Sequence, residues 1–297
     1  MDPEMFVNTR EYGAYTEELV AAINLSYEAG EVAMTFCRDR INNAGLEVEI
    51  KKDLTPVTIV DKNVNDLVVA KLAQKFPKHR VVGEESIINI EEDLGKGGVF
   101  FVDPIDGTKD FVANNGQWCV MIGLSVESIS VMGVVYIPHI DELYFAVRGQ
   151  GAFVIKNGRN KSQPDILPVR ANENPDTSKI KYLASVSNFD QKCRDTMRIL
   201  EIPDENLINV GSMGIKCCYI ASGKADLYVN AKGLSSYWDA VAPQVIMDEA
   251  GAVLFEADKK EVRYTGTDTR ISQLIVATTR PLMDQVHKAV AKVYFDQ

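Results

Sequence analysis

The stretch Val99-Phe100-Phe101-Val102-Asp103-Pro104-Ile105-Asp106-Gly107-Thr108-Lys109-Asp110-Phe111 constrains this chain more than any other. Four apolar residues run as a buried strand would, and Pro-Ile-Asp-Gly then supplies strong turn chemistry. The pattern predicts Asp103 at the end of a strand, with Asp106, Gly107 and Thr108 in the turn beyond it. Two carboxylates so close repel unless something positive lies between them. A hard divalent cation answers that need, because Mg²⁺ prefers carboxylate and carbonyl oxygen. Gly107 allows backbone N–H groups to approach an anion, and a helix starting near Thr108 would aim its positive end there. A metal beside a phosphate is one reading. A strand end, a type I turn and a capped helix is the other.

Composition narrows the classes of function. The 297 residues are 46% hydrophobic and 25% charged, enough apolar content for one large domain or two intimate ones. Lys and Arg number 32 against 42 acidic residues, a net charge of −10, which disfavours a broad nucleic-acid or anionic-membrane surface. A small phosphorylated ligand needs only local positive charge. Cys37, Cys119, Cys193, Cys217 and Cys218 include no CxxC pair and read as reduced, packed thiols of a cytoplasmic protein. The acidic residues Asp2, Glu4, Glu11, Glu17 and Glu18 disfavour a secretory signal, and Met1–Met5 carries no functional reading.

Helical periodicity runs from Thr16 to about Arg40, and a second helix is expected to follow Asp61 and stop before Pro77. Glu47–Lys52 alternates like an exposed strand and breaks at Asp53–Thr58; Arg80–Gly83 reads as a short strand. Candidate strands follow at 118–126, 130–137, 142–147 and 152–155, then an exposed loop from Lys156 to Asp165. That succession predicts an antiparallel sheet. In the second half, strands at 182–186, 207–210, 225–229, 252–255 and 274–277 alternate with helices at 191–200, 212–221, 238–249 and 282–293, an α/β layer. The division falls at 1–172, holding most of the acidic candidates, and 173–297.

Three further carboxylates stand at element ends: Asp61 in Thr58-Ile59-Val60-Asp61, Glu84 in Gly83-Glu84-Glu85-Ser86, and Asp239 in Trp238-Asp239-Ala240. Each has an ordinary explanation, the aspartates as helix N-caps and the glutamate as a solvated turn residue. Together, Asp103-Pro-Ile-Asp-Gly-Thr108, Gly83-Glu-Glu-Ser86 and Trp238-Asp-Ala with Glu249-Ala-Gly251 resemble the metal-binding motifs of the inositol monophosphatase superfamily of Mg²⁺-dependent, lithium-sensitive phosphomonoesterases. The resemblance runs from about Glu18 to Val293. It implies the layered α/β/α/β/α sandwich shared with fructose-1,6-bisphosphatases, and two or three Mg²⁺ ions per site with inhibition by Li⁺. Glu84, Asp103 and the Ile105 carbonyl match the ligands of a first metal; Asp103, Asp106 and Asp239 match those of a second. Asp61 and Thr108 match the pair that activates the attacking water, with backbone at Gly107 and Thr108 for the phosphate. His79, His139 and His287 are read as surface or packing residues.

Within the superfamily, Thr108-Lys109-Asp110-Phe111, Thr55-Pro56-Val57-Thr58 and Ala242-Pro243 resemble the 3′(2′),5′-bisphosphate nucleotidases. The implied reaction removes the 3′-phosphate of adenosine 3′,5′-bisphosphate or its sulfated form. An inositol polyphosphate 1-phosphatase or monophosphatase is the enzymatic alternative, and a nucleotide-binding scaffold the non-enzymatic one. Gly211-Ser212-Met213-Gly214-Ile215-Lys216 resembles the family's turn before a helix, which would bring Ser212 and Lys216 to the nucleotide; the other reading is a plain strand-to-helix turn. Ser185 and Asn188 fall where that branch often has Thr and His. The expected partner is a small phosphorylated molecule, and a monomer is favoured over a dimer.

Overall fold

A run such as Val99–Val102 is apolar at every position because both faces of its strand are covered. Val99 and Phe101 enter one core, while Phe100 and Val102 enter another on the opposite face. The same division recurs one strand over, with Met121 on the first side and Val120, Ile122 and Leu124 on the second. In the computed structural model, residues 13–42, 48–50, 56–86, 90–159, 165–185, 188–230, 235–271 and 274–295 are described. Of the break expected at Asp53–Thr58, residues 53–55 lie outside them while Pro56–Thr58 forms a short strand, and residues 160–164 of the expected 156–165 loop and the first twelve residues also lie outside.

The chain opens with α1 (Thr16–Asn42), a short hairpin of β1 (Val48–Ile50) and β2 (Pro56–Thr58), and α2 (Ile59–Lys75). There follow β3 (Arg80–Gly83), β4 (Gly98–Asp106), the single-turn α3 (Thr108–Ala113), β5 (Cys119–Val126), β6 (Ile129–Ile137), β7 (Glu142–Val147), β8 (Ala152–Lys156) and β9 (Asp165–Pro168). Strands β3 to β9 form one sheet in chain order, antiparallel except for the β3–β4 pair. Beyond it lie β10 (Tyr182–Ala184), α4 (Gln191–Ile199), β11 (Leu207–Asn209), α5 (Met213–Ala221), β12 (Leu227–Val229), β13 (Ser235–Ser236), α6 (Tyr237–Ala250), β14 (Ala252–Glu256), β15 (Arg270–Ile271), β16 (Ile275–Thr279) and α7 (Met283–Tyr294). Five of these strands make the second sheet, ordered β11-β10-β12-β16-β14.

Three cores separate five layers. Helices α1 and α2 cover the outer face of the large sheet; α5 and α6 fill the space between the sheets; α4 and α7 cover the far face of the small one. The expected layered α/β/α/β/α sandwich is what forms. Because α6 lies between two sheets, Ala240, Val241, Ala242, Val245, Ile246 and Met247 are all buried, and the helix is apolar around its circumference.

Three local expectations are corrected. Strand β4 does not end at Asp103 but continues to Asp106. Asp103 pairs with Met121 and Asp106 with Cys119, so three steps on β4 face two on β5, a bulge that accommodates Pro104. Asp61 does not precede its helix: Thr58 is the N-cap and Asp61 the third residue, the two joined in a capping box. Strand β9 occupies residues expected in and just after a loop; as a largely exposed edge strand it carries no alternating pattern. All five cysteines are free and buried, as expected.

Close approach of α6 to the large sheet rests on the cross-strand pair Gly123 and Gly133. A Cβ on Gly133 would stand 2.4 Å from the Ala242 carbonyl oxygen, and one on Gly123 would stand 2.7 Å from the Ala242 nitrogen. Gly133→Ala should therefore destabilise the fold by about 1–3 kcal/mol, measured by denaturant unfolding, because backbone cannot yield as a side chain can. Near the end of α6, Asp248 lies 3.4 Å from Arg148. Burial pushes its carboxyl up to about 6, against the opposing pull of Arg148. The folded chain thus holds a proton that the unfolded chain has released, a contribution present below about pH 4 and lost as pH rises through about 6. Asp248→Asn removes that loss, so its melting temperature relative to wild type should climb between pH 4 and pH 7.

Candidate active site

The carboxyl ends of β3, β4, β10 and β12 face one cleft of about 230 Å³. Glu84, Asp103, Ile105, Asp106, Gly107, Thr108, Ser185, Asn188, Lys216 and Asp239 line it, so the structure gathers expected site residues from both halves of the chain. Asp61 and Ser212 do not line it. Each is 1% exposed, standing behind Thr108 and Asp106 respectively.

Each aspartate is anchored through one oxygen by a backbone amide. Asp103 Oδ1 accepts from the Ile105 N–H at 3.0 Å across the bulge. Asp61 Oδ2 accepts from the Thr58 N–H at 2.8 Å and from the Thr58 hydroxyl, and Asp239 Oδ2 accepts from the Ser236 N–H at 2.7 Å. Asp106 Oδ2 accepts from the Gly214 N–H at 2.6 Å and from the Ser212 hydroxyl. Asp61 and Asp239 are both third residues of their helices.

Burial and then like charge set the electrostatics. Asp103, 2% exposed, has its carboxyl pushed well above the usual range by burial, then by Glu84, Asp106, Asp239 and Asp61. Burial and then Asp106 push Asp239 up in the same way. Asp61 is raised by burial, which outweighs the hydrogen bonds from Thr58 and Thr108. Buried carboxylates crowded together call for a cation, and a set of hard oxygens selects Mg²⁺ or a similar ion. The donor chemistry fits such an ion. Among the described residues, no three Asp, Glu, His or Cys side chains already form a group that would hold a metal as they stand.

The Thr108 hydroxyl lies 3.1 Å from Asp61 Oδ1 and 3.2 Å from the Ile105 carbonyl, and donates its one proton to either. Gly107 precedes it with φ +94°, a left-handed conformation that suits glycine, and a Cβ there would meet the Gln117 carbonyl at 2.9 Å. Lys216, 1% exposed, has all three protons committed: to the Ser185 hydroxyl at 2.9 Å, the Ser212 carbonyl at 3.0 Å and the Gly211 carbonyl. Burial lowers its pKa to about 8 despite Asp106. Lys109 also lines the cleft, exposed, and among the described residues it makes no ion pair.

Glu249 lies away from the cleft. Its two oxygens each accept at 2.7 Å from the Gly149 and Gly151 N–H groups in the β7–β8 turn. The lining also includes Tyr228, Asn230 and Ser235, which sequence reading did not single out. Their only signal was position, at the end of one strand and the start of another.

A matching family model, the inositol monophosphatase family, spans residues 15–294. Similar proteins include inositol monophosphatase 1 of Solanum lycopersicum, 31% identical over 94% of this chain and 96% of its own length. The histidinol-phosphatase of Chlorobaculum parvum is 34% identical over 81% of this chain and 86% of its own. The solved structure of an IMPase from Thermotoga maritima superposes with a TM-score of 0.75 at 23% identity, covering 94% and 99% of the two chains, and so shares the fold. The family model and these two relatives define the class as one of phosphatases. The chain belongs to the inositol monophosphatase family. Among its described residues no helix is long and apolar enough to cross a membrane.

Asp103→Asn places a neutral amide among four carboxyl groups. Calorimetry should show a higher melting temperature for the metal-free variant than for wild type, while phosphate release falls about 100-fold or more.

Proposed function

We propose that the chain is a Mg²⁺-dependent phosphomonoesterase that removes the 3′-phosphate of adenosine 3′,5′-bisphosphate. The observation that carries the phosphatase chemistry is the convergence of Glu84, Asp103, Asp106 and Asp239 on one cleft, where burial and mutual like charge raise the Asp103 and Asp239 carboxyls. Glu84, Asp103 and the Ile105 carbonyl would hold one Mg²⁺; Asp103, Asp106 and Asp239 would hold a second. Bound there, the ions supply Lewis acidity and neutralise charge on the transferring phosphoryl group.

The chain's own residues orient the reactants. Thr108 donates to Asp61, which leaves its hydroxyl oxygen free to accept a hydrogen bond from the attacking water. Water attacks phosphorus in line as the ester P–O bond breaks, and the departing alcohol oxygen takes up one proton as the attacking water gives one up, so that alcohol and inorganic phosphate leave. The amides at Gly107 and Thr108 hold the phosphate oxygens as the bond breaks.

The nucleotide is supported by the Thr108-Lys109-Asp110-Phe111 motif and by Lys109 standing exposed on the cleft wall. Lys109, rather than the committed Lys216, would be the residue that answers a second phosphate. Inositol 1-phosphate is the second reading, favoured by the relative named for that activity and by the uncharged wall of Ser185, Asn188, Asn230 and Ser235.

A phosphate-release assay comparing the two esters decides between them. The bisphosphate should be preferred, and Lys109→Ala should raise its KM about 10-fold while leaving that of inositol 1-phosphate within about twofold. A preference for inositol 1-phosphate overturns the nucleotide. Li⁺ should inhibit in competition with Mg²⁺, and activity independent of divalent cations overturns the metal chemistry.

A further inference from the structure

The turn Gly211–Gly214 resembles a substrate-binding element, yet its hydroxyl points away from the cleft. Ser212 is the N-cap of α5, where its Oγ accepts from the Ile215 N–H at 3.1 Å. With the oxygen so fixed, its single proton goes to Asp106 Oδ2. That same oxygen also takes the Gly214 N–H, and the Cys119 thiol lies 3.7 Å away. Three donors therefore crowd Oδ2, and Oδ1 is the oxygen left for the cleft.

The turn has no slack against Asp106. A Cβ on Gly214 would meet Met121 Sδ at 2.5 Å, Cys119 Sγ at 2.7 Å and Asp106 Oδ2 at 3.3 Å, while one on Gly107 would approach Ser212 Cβ at 3.4 Å. Behind it, Lys216 grips the Gly211 and Ser212 carbonyls, and Gln117 Oε1 accepts the Gly211 N–H at 2.8 Å. The network starts at Ser185, after β10 of one sheet, and ends at Asp106, on β4 of the other.

We propose that Ser212 is a positioning residue for Asp106: its hydroxyl locks one carboxylate oxygen so that the other is aimed at the metal, and Lys216 holds the turn that carries it. This rests on the metal reading above. It assigns Ser212 and Lys216 to the metal site rather than to the substrate.

The test is calorimetric titration of Mg²⁺ into the metal-free full-length chain, alongside steady-state kinetics. Ser212→Ala should weaken Mg²⁺ binding about 10-fold or more, and leave KM for the phosphate ester within about twofold at saturating Mg²⁺. Ser212→Thr, which keeps the hydroxyl, should bind within about threefold of wild type. Ser212→Gly removes the whole side chain, hydroxyl included, but leaves a residue tolerated at an N-cap, so it serves if the alanine variant does not fold. On an Asp106→Asn background, Ser212→Ala should have no further effect on binding. Wild type that takes up no Mg²⁺ overturns the metal reading itself. Wild type that binds, with a folded Ser212→Ala or Ser212→Gly variant binding equally well or altered only in KM, overturns this inference alone.

Discussion

Mutual repulsion among Glu84, Asp103, Asp106, Asp239 and Asp61 is the constraint that the surrounding structure must satisfy. Left to themselves these side chains would swing apart into solvent. Each aspartate instead has one oxygen fastened to a main-chain amide, supplied by a bulge at Asp103, by helix starts at Asp61 and Asp239, and by a tight turn at Asp106. Amides are donors that cannot change rotamer, so the acidic cluster is held by the most rigid part of the protein. The cluster is costly to the metal-free fold. Natural sites commonly trade stability for function in this way.

Distribution across the chain follows from the same arrangement. Asp61, Glu84, Asp103 and Asp106 come from the first half and Asp239 from the second, while the clamp on Asp106 crosses between the sheets. Glycines at 123 and 133 let α6 lie against the large sheet closely enough to present Asp239 beside Asp103. Packing in the middle layer and geometry in the cleft are therefore coupled: a shift of α6 would move a carboxylate.

Much of this was legible in the residues. Apolar runs and turn signals placed most strands and helices within a residue or two, because the central strands β4 to β7 of the large sheet are buried on both faces and each helix of the second half has a clear stop. Strand β9 was not legible, since an exposed edge strand has no hydrophobic pattern to read. The acidic residues announced themselves by recurring at element ends, and the capping role of Asp61 and Asp239 proved compatible with a place in or beside the site, because an N3 aspartate uses one oxygen for its cap. Ser212 and Lys216 were harder. Spacing puts them at a turn near the cleft, but whether the Ser212 side chain faces ligand or protein depends on Asp106 and Cys119, more than 90 residues away, and the Lys216 side chain on Ser185 and the turn's own carbonyls. Glu249 followed a motif in sequence and braces a hairpin in space.

The middle layer has a consequence for how the chain comes into being. Val99, Phe101, Met121, Val135 and Tyr144 form the inner face of the large sheet, and their cover is α5 and α6, made from residues 213–250. During synthesis that sheet is complete some 45 residues before its first covering helix begins, at the ordinary elongation rate an interval of seconds. A newborn chain passes through a stage with one finished face of apolar side chains open to water. The residues that cover this core and the one that completes the acidic cluster, Asp239, therefore arrive together, on the same stretch of chain.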